Sequence, residues 1–406
     1  MALFLALVGC ALAGCGRALA SSRLTFGSCC KHDLPQPLWP QVLERDPAGW
    51  IWGGDIVYGD YIARYLPRVT FEARGVEYLR SAYRAQARVA GYAELRERVP
   101  IVATWDDHDF GLNDADRTLA FREGSLAAFR EAFPEQAFAG REGVYSARAL
   151  DVAGGTVLVV ALDMRYEKTP YAGRAGPGDF LGEAQWAWLA QTLNASRADA
   201  HVFVSSLQLL EWRSGTCENW GRFPESRARF LDLLQTVKAP IVVSGDVHMA
   251  EIAAANCGSK VLVDVTSSGL THSWARQTLF HRKIAPLLTN AMRLAQLLLK
   301  QPYLIADETT GRTKNYLGLN FGELDFDFET RKVHARVFGE EGLALEHAFD
   351  LDALGVAGTC EPIRDVPAYE AAARMAAFVA ITTGVVFGTP LVVLAAVLAA
   401  LRRRFL

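Results

Sequence analysis

The chain places a side chain that can carry negative charge directly after several short apolar, β-rich runs. The runs are "LTFGS" (24–28), "WIWGG" (50–54), "IVATW" (101–105), "TVLVVAL" (156–162), "HVFVSS" (201–206), "IVVSG" (241–245) and "VLVDVTS" (261–267). Five of them are followed by Cys29, Asp55, Asp106, Asp163 and Asp246. The carboxyl ends of strands in an α/β sheet border one crevice, so we expect these five groups to converge. Like charges repel and an unpaired buried carboxylate is costly, so the pattern predicts a cation site.

The order of the runs predicts an α/β fold. Amphipathic stretches of helix length separate several runs, at 76–98, 182–193 and 224–237. After Asn315 the pattern changes to strands alone, in "LNFGELDFDFE", "KVHARVFG" and "LALEHAFDL". The sequence therefore predicts one domain over residues 21–362, with an α/β core followed by an antiparallel tail.

The first residues of the chain are apolar and predict a secretory signal peptide. Residues 1–20 end in Ala-Leu-Ala, a small-x-small cleavage pattern. A lipoprotein acceptor site at Cys10 or Cys15 and an uncleaved anchor are the alternatives.

The last residues predict a membrane anchor. Residues 375–401 contain no charged side chain, which is long enough for a transmembrane helix, and a buried core helix is the alternative. Residues 363–374 would form a juxtamembrane linker, and the three arginines within 402–406 predict a short cytoplasmic tail. We therefore expect a single-pass type I membrane protein whose domain is extracellular or in the secretory lumen.

The composition disfavours nucleic acid as a partner, and the number of cysteines is odd. The formal net charge is −3, without the basic excess typical of nucleic-acid binding. Asn194 begins an Asn-Ala-Ser sequon and is a candidate glycosylation site. An odd number of cysteines remains outside the signal, so one has no disulfide partner. These cysteines are Cys29, Cys30, Cys217, Cys257 and Cys360.

Candidate metal ligands lie at or just after the strand ends. They are Cys29, Asp55 and Tyr58 in "GGDIVYGD", Asp106 and Asn113 in "TWDDHDFGLND", and Asp246 with His248 in "SGDVHMAE". Each alone has an ordinary interpretation, such as a helix cap for an aspartate or a core residue for a tyrosine or histidine. The order of the set, with a strand before each group, is what makes it specific.

That order resembles a known family. "FGSCC", "GGDIVYGD", "TWDDHDFGLND", "LDMRY", "SGDVHMAE", "TSSGLTHS" and "NFGELDFD" are similar to successive blocks of alkaline phosphatase D (PhoD-like) enzymes, within the calcineurin-like metallophosphoesterases. The resemblance extends from about Leu24 to about Asp350. It implies a four-layer α/β/β/α sandwich with two mixed sheets and the hydrolysis of phosphate mono- or diesters by metal-bound hydroxide.

The resemblance also implies a dinuclear centre of iron(III) and calcium. Cys29, Asp55, Tyr58 and His248 would hold the iron, whose charge suits thiolate and phenolate donors. Asp106, Asn113 and Asp246, with Asp55 bridging, would hold calcium, which prefers oxygen ligands. Cys29 would then be the unpaired cysteine, and the other four could pair with one another. Cys30 departs from the family pattern, and oxidation against Cys29 would abolish the iron site.

Further side chains are candidates for substrate binding or catalysis. We expect Arg165 to grip a phosphate oxygen, with a surface salt bridge as the alternative. His108 is the candidate general acid beside Asp106, or else it orients Asp106 or Asp107. Asp107 and Asp109 are expected behind the ligands, and His272 to line the pocket or lie on a plain loop.

The segment 284–301 is amphipathic and could be a lid, a helix on anionic lipid, or a helix packed on the sheet. The expected partners are small phosphoesters or phospholipid, and the membrane through the C-terminal helix. Two other functions stay open: a catalytically silent receptor or adhesion ectodomain that retains the fold, and a nuclease, which the lack of a basic surface disfavours.

Overall fold

The computed structural model describes residues 21–64, 69–140, 142–172, 176–210, 218–276 and 315–361. The expected signal peptide, juxtamembrane linker, transmembrane segment and tail lie outside these residues, as do Cys217 and the segment 284–301. None of the helices within the described ranges is both long and apolar enough to cross a bilayer.

Strands and helices alternate along most of this length. The strands are β1 Arg23–Gly27, β2 Gly49–Gly53, β3 Asp60–Arg64, β4 Thr70–Ala73, β5 Ile101–Thr104, β6 Ser146–Val152, β7 Gly155–Ala161, β8 Ala200–Val204, β9 Pro240–Ser244, β10 Ala250–Cys257, β11 Lys260–Ser267, β12 Asn315–Tyr316, β13 Asn320–Asp327, β14 Lys332–Gly339, β15 Gly342–Asp350 and β16 Cys360–Glu361. The helices are α1 Trp39–Glu44, α2 Val76–Gln86, α3 Ala90–Arg98, α4 Asp107–Phe110, α5 Arg122–Ala132, α6 Gly182–Ala195 and α7 Pro224–Leu234.

Two large sheets form the body of the protein, and each mixes parallel and antiparallel pairs. The first has the order β15-β14-β13-β1-β2-β5, in which β1, β2 and β5 are parallel. The second has the order β12-β10-β11-β9-β8-β7-β6, in which β7, β8, β9 and β11 are parallel, and β16 pairs with β10. The hairpin β3–β4 belongs to neither. The predicted mixed α/β class is confirmed.

The apolar residues of β2 show how the sheets pack. Ile51 lies in a core shared by both sheets, together with Val159 of β7 and Ile241 of β9. Its neighbours Trp50 and Trp52 point to the other face, because side chains alternate along a strand, and they pack with α1, α2, α3 and α5. On the far side of the second sheet, α6 and α7 pack in the same way. Helices thus cover the outer face of each sheet.

The structure confirms one expectation about the secondary structure and corrects another. The strands predicted after Asn315 are present, and β13 pairs with β1, so the tail completes the first sheet. The single helical stretch at 76–98 is wrong in detail, since the chain leaves the helix and is extended at Val89. This break lets Gly91 lie against Trp39, where a Cβ atom would approach the Trp39 Cβ to 2.4 Å.

The cysteines match the expectation in part: Cys29 is unpaired and one disulfide forms, but Cys30 is free. Cys257 of β10 and Cys360 of β16 form a disulfide across a sequence separation of 103 residues. Cys29 and Cys30 are both buried and free. The expectation that Cys30 pairs is wrong because its sulfur lies in the core next to the side chain of Gln86, at 3.6 Å from Oε1.

We predict that the double substitution Cys257→Ala and Cys360→Ala lowers the free energy of unfolding by about 2–5 kcal/mol, because a long loop is no longer closed in the unfolded chain. Urea unfolding of the purified protein measures this change. A reducing agent should destabilise the wild type by a similar amount and leave the double variant unchanged. Equal stability of the two proteins under oxidising conditions would contradict the prediction.

Candidate metal centre

The predicted ligands meet where the carboxyl ends of the two sheets come together. Cys29 follows β1, Asp55 follows β2 and Asp106 follows β5, all in the first sheet, whereas Asp246 follows β9 in the second. The loops that follow the neighbouring strands β2 and β5 lie close together here: a Cβ atom on Gly54 would lie 2.6 Å from the Cβ of Asp106. Only glycine at this position lets the two loops approach so closely.

Four of the predicted ligands have left-handed backbone conformations. The φ angles are 57° at Cys29, 52° at Asp55, 69° at Asp246 and 55° at His248. For residues with a Cβ this conformation costs roughly 1 kcal/mol each. Such strain is concentrated at functional sites, where surrounding structure holds it in place. Here it turns each side chain toward the common centre.

A first group of donors mixes sulfur, oxygen and nitrogen. Ligand atoms of Cys29, Asp55 and His248 all lie within 4.8 Å of one another. The hydroxyl of Tyr58 donates to Asp55 Oδ2 at 3.1 Å, so the phenol lies beside the same carboxylate. The structure therefore brings together the four residues expected to hold the first metal.

A second group consists of carboxylates. Ligand atoms of Asp106, Asp107 and Asp246 lie within 4.8 Å of one another, and Asp107 forms a further group with Asp55 and His108. One oxygen of Asp106 is already engaged, since Oδ1 accepts from Arg165 Nε at 2.6 Å and Ser206 Oγ at 2.8 Å. Asp107, expected behind the ligands, belongs to both groups, although its two oxygens also accept the backbone N–H groups of His108 at 2.8 Å and Asp114 at 2.7 Å.

Desolvation sets the electrostatics of these groups. It raises the pKa of Asp55 and Asp246 well above the usual range, and neighbouring carboxylates add to the rise. Burial raises the pKa of Asp106 to about 7 and that of the Cys29 thiol well above its ordinary value. Burial alone would raise the pKa of Asp107, but the charges of His108 and Arg165 lower it. Burial therefore disfavours the charged forms of Asp55, Asp106, Asp246 and Cys29.

Buried donor atoms of this site are suited to cations. Asp55 Oδ1 and Asp106 Oδ2 are buried acceptors without a hydrogen-bond partner among the described residues. Burial of an unsatisfied acceptor costs about 1–3 kcal/mol, more for a charged group, and a cation would satisfy both atoms. Desolvation also lowers the pKa of His248 to about 3, which leaves a neutral imidazole suited to ligation. The donor set fits a two-metal centre.

His108 is held by a residue that the sequence analysis missed. Its Nδ1 lies 2.6 Å from Oδ1 of Asp60, and its ring stacks on Tyr58 with centroids 4.1 Å apart. Burial alone would lower the pKa of His108, but Asp107, Asp55 and Asp60 raise it to about 10. Asp60 Oδ2 also accepts the backbone N–H of Asn113 at 2.8 Å, so one carboxylate holds both His108 and the backbone of Asn113.

Arg165 does not reach solvent. Its side chain is fully buried and binds Asp106, and its NH1 lies 2.6 Å from Glu218 Oε2. Lys168 Nζ lies 2.5 Å from the other oxygen of Glu218. Asp107, Asp114 and Glu218 form a further acidic group, but these two cations already neutralise Glu218. Arg165 thus holds a candidate ligand in place, a contact that differs from the expected grip on phosphate.

The remaining predicted residues have distinct positions. Asp109 accepts the backbone N–H groups of Ile56 and Val57 at 3.0 Å and so braces the loop after β2 from behind. His272 Nε2 lies 2.9 Å from the hydroxyl of Tyr58, which places it in the site. Asn194 is exposed near the end of α6.

The expectation that Asp163 joins the centre is wrong. Its Oδ1 accepts from the indole of Trp105 at 2.8 Å and from the backbone N–H of Arg165 at 2.8 Å. Its Oδ2 accepts the backbone N–H of Val144 at 2.8 Å. Both oxygens of Asp163 therefore hold neighbouring loops in place. The carboxylate is not a member of the acidic groups described above.

Comparisons with known proteins add family and fold. A family model described as PhoD-like phosphatase matches residues 24–279. A solved structure of PhoD aligns with a TM-score of 0.56 at 15% identity, covering 88% of this chain and 77% of the other. The purple acid phosphatase PPD1 from seeds of yellow lupin (Lupinus luteus) aligns with a TM-score of 0.49 at 13% identity, covering 84% and 54%. No curated protein matches the chain.

We predict that Asp107→Asn removes one of two bound metal equivalents, because it takes a negative charge from the middle of the carboxylate group while keeping its shape. Elemental analysis after dialysis against a weak chelator measures the metal content. Asp163→Asn is the matched control, an equally buried strand-end aspartate outside the site, and should keep both equivalents. Full metal content in Asp107→Asn would remove that residue from the ligand set.

Proposed function

The chain belongs to the PhoD-like phosphatase family, and we propose that it hydrolyses phosphate mono- or diesters at the centre between its two sheets. The observation that carries this proposal is the convergence of donors from four strand ends on one strained, buried place. A receptor domain that lost turnover would have no need to keep these donors together.

We assign the donors to two cations on the basis of their chemistry. Cys29, Asp55, Tyr58 and His248 would hold one, iron(III) by the family expectation. Asp107 is added to Asp106, Asn113 and Asp246 at the second, where oxygen donors suit calcium. When bound, the cations offset the charge of the phosphoryl group and make water more acidic.

The protein's own residues would position the ester and supply a proton. Neighbouring carboxylates raise the pKa of His108 and so favour its protonated form, and Asp60 fixes it through Nδ1, so Nε2 would give a proton to the leaving oxygen. Because Arg165 is buried against Asp106, we assign it to positioning that aspartate. Lys31 is a better candidate for binding the phosphate, since it is partly exposed and its Nζ lies 4.8 Å from the centre of the Tyr58 ring.

The placement of the protein in the cell is part of the proposal. A disulfide between Cys257 and Cys360 is typical of an extracytoplasmic compartment. The signal peptide over 1–20, the single-pass anchor over 375–401 and glycosylation at Asn194 rest on the sequence.

The four-layer order of helices and sheets and the domain bounds 21–362 are also part of the proposal. Small phosphoesters are the proposed substrates, with phospholipid as a membrane-linked member of that class.

We predict that purified protein loaded with iron(III) and calcium hydrolyses p-nitrophenyl phosphate or bis(p-nitrophenyl) phosphate at alkaline pH. A chelator should abolish turnover, and return of the two metals should restore it. Asp246→Ala should lower kcat by at least about a thousandfold, because one donor of the second cation is lost. Asp151→Asn, an exposed aspartate on β6, is the control. Activity that survives both Asp55→Ala and Asp246→Ala would place the reaction elsewhere.

We predict that His108→Asn harms esters with poor leaving groups most. An alkoxide needs a proton as it departs, whereas nitrophenolate does not, so kcat/KM for ethyl phosphate should fall by about a hundredfold or more beyond the loss with p-nitrophenyl phosphate. Asp60→Asn should show the same pattern more weakly, because it acts through His108. Equal losses for the two esters would mean that His108 only positions other groups.

A further inference from the structure

The loop that follows β11 contacts three of the four candidate ligands of the first metal. Ser268 Oγ lies 3.0 Å from Cys29 Sγ and accepts the backbone N–H of His248 at 2.8 Å. Four residues later, His272 Nε2 lies 2.9 Å from the hydroxyl of Tyr58. The contacts of this loop therefore go well beyond the expected role of His272.

The hydroxyl of Ser268 links ligands that come from different sheets. Cys29 follows β1 in the first sheet, whereas His248 lies between β9 and β10 in the second. A serine hydroxyl has one proton and two lone pairs, so it can bind an N–H group and a sulfur atom at the same time. The link to the sulfur exists whichever of the two atoms donates, so it does not depend on the protonation of Cys29.

Both linked residues have backbone conformations that need support. The φ angles of 57° at Cys29 and 55° at His248 are unfavourable for residues with a Cβ atom, and such angles persist where neighbouring groups hold them. Ser268 is fully buried, and its own backbone N–H donates to the carbonyl of Met249 at 3.2 Å. The hydroxyl thus starts from a fixed point of the second sheet.

The same loop holds the chain on both sides of the cysteine ligand. Ser28 Oγ donates to the carbonyl of Ser267 at 3.0 Å, and the backbone N–H of Lys31 donates to Thr271 Oγ1 at 2.8 Å. Ser268 lies between these two contacts in sequence. Its hydroxyl is therefore held opposite the sulfur by contacts that do not involve the sulfur itself.

We propose that Ser268 is a positioning residue for the first metal. Its hydroxyl fixes the sulfur of Cys29 against the backbone of His248 and so sets the spacing of these two donors. The inference rests on the proposed function, in which Cys29 and His248 hold the same cation. Donors that are already held at the required spacing lose less freedom on binding, so the hydroxyl should raise the affinity for that cation.

The test measures the affinity of the full-length protein for iron(III). The protein is equilibrated with iron(III) and graded concentrations of nitrilotriacetate, a competing chelator, and elemental analysis gives the bound iron. Ser268→Ala should bind iron(III) about 10–100-fold more weakly than the wild type, as is typical when a residue that orients a metal ligand is lost. The absorption band of thiolate-bound iron(III) should also shift or lose intensity, because the sulfur is less well placed.

Ser267→Ala is the matched control. Ser267 is the adjacent serine and is equally buried, but its hydroxyl donates to Asn320 Oδ1 at 2.9 Å. Each alanine variant loses one buried hydroxyl, so a general effect on the fold would appear in both. The iron affinity and the absorption band should change in Ser268→Ala alone. Ser268→Gly, which also lacks the hydroxyl, provides a second variant if Ser268→Ala does not fold.

Several results would overturn the inference: wild-type iron affinity in Ser268→Ala, an equal loss in Ser267→Ala, or no thiolate band in the iron-loaded wild type. Failure of both Ser268 variants to fold would also overturn it, because the hydroxyl would then serve the fold as a whole. Failure of the proposed function looks different, since the metal-loaded wild type would hydrolyse neither nitrophenyl ester. The iron affinities of the variants would still decide the role of Ser268.

Discussion

Repulsion among buried carboxylates is the constraint to which the rest of this structure responds. Asp55, Asp106 and Asp107 are almost wholly buried within a few ångströms of one another, and Asp246 joins them from the second sheet. The protein meets part of this charge itself, through Arg165 on Asp106 and the protonated His108 near Asp107. For Asp55 and Asp246, burial and neighbouring carboxylates raise the pKa and so disfavour the ionised form. Cations held between these groups would offset that cost.

Much of the fold could be predicted because its pattern is local. Runs of β-branched residues mark strands such as β7 and β9, and the change after Asn315 marks the antiparallel part of the first sheet. Parallel strands aligned in one sheet then place Cys29, Asp55 and Asp106 at one edge. The ligand set follows from strand ends and motif order, and its metal assignment stays a prediction.

The parts that sequence could not supply depend on contacts across long separations. Asp60 reaches His108 and Glu218 reaches Arg165, 48 and 53 residues apart, so no local pattern pairs them. Asp107 and Asp163 show the converse, because similar local sequences lead to different positions in the structure. Both follow an apolar run and both accept backbone N–H groups, yet Asp107 lies within 4.8 Å of other candidate ligands, whereas Asp163 binds the indole of Trp105. Only the direction of the side chain distinguishes them.

The left-handed backbone at Cys29, Asp55, Asp246 and His248 has an evolutionary consequence. At each position glycine would relieve torsional strain, and glycine at the three anionic positions would also remove a source of repulsion. Descendants released from selection for turnover would therefore gain stability by losing their ligands, and drift would erase the centre early. A chain that carries all four residues in this conformation therefore keeps them at a cost in stability, which bound cations would offset.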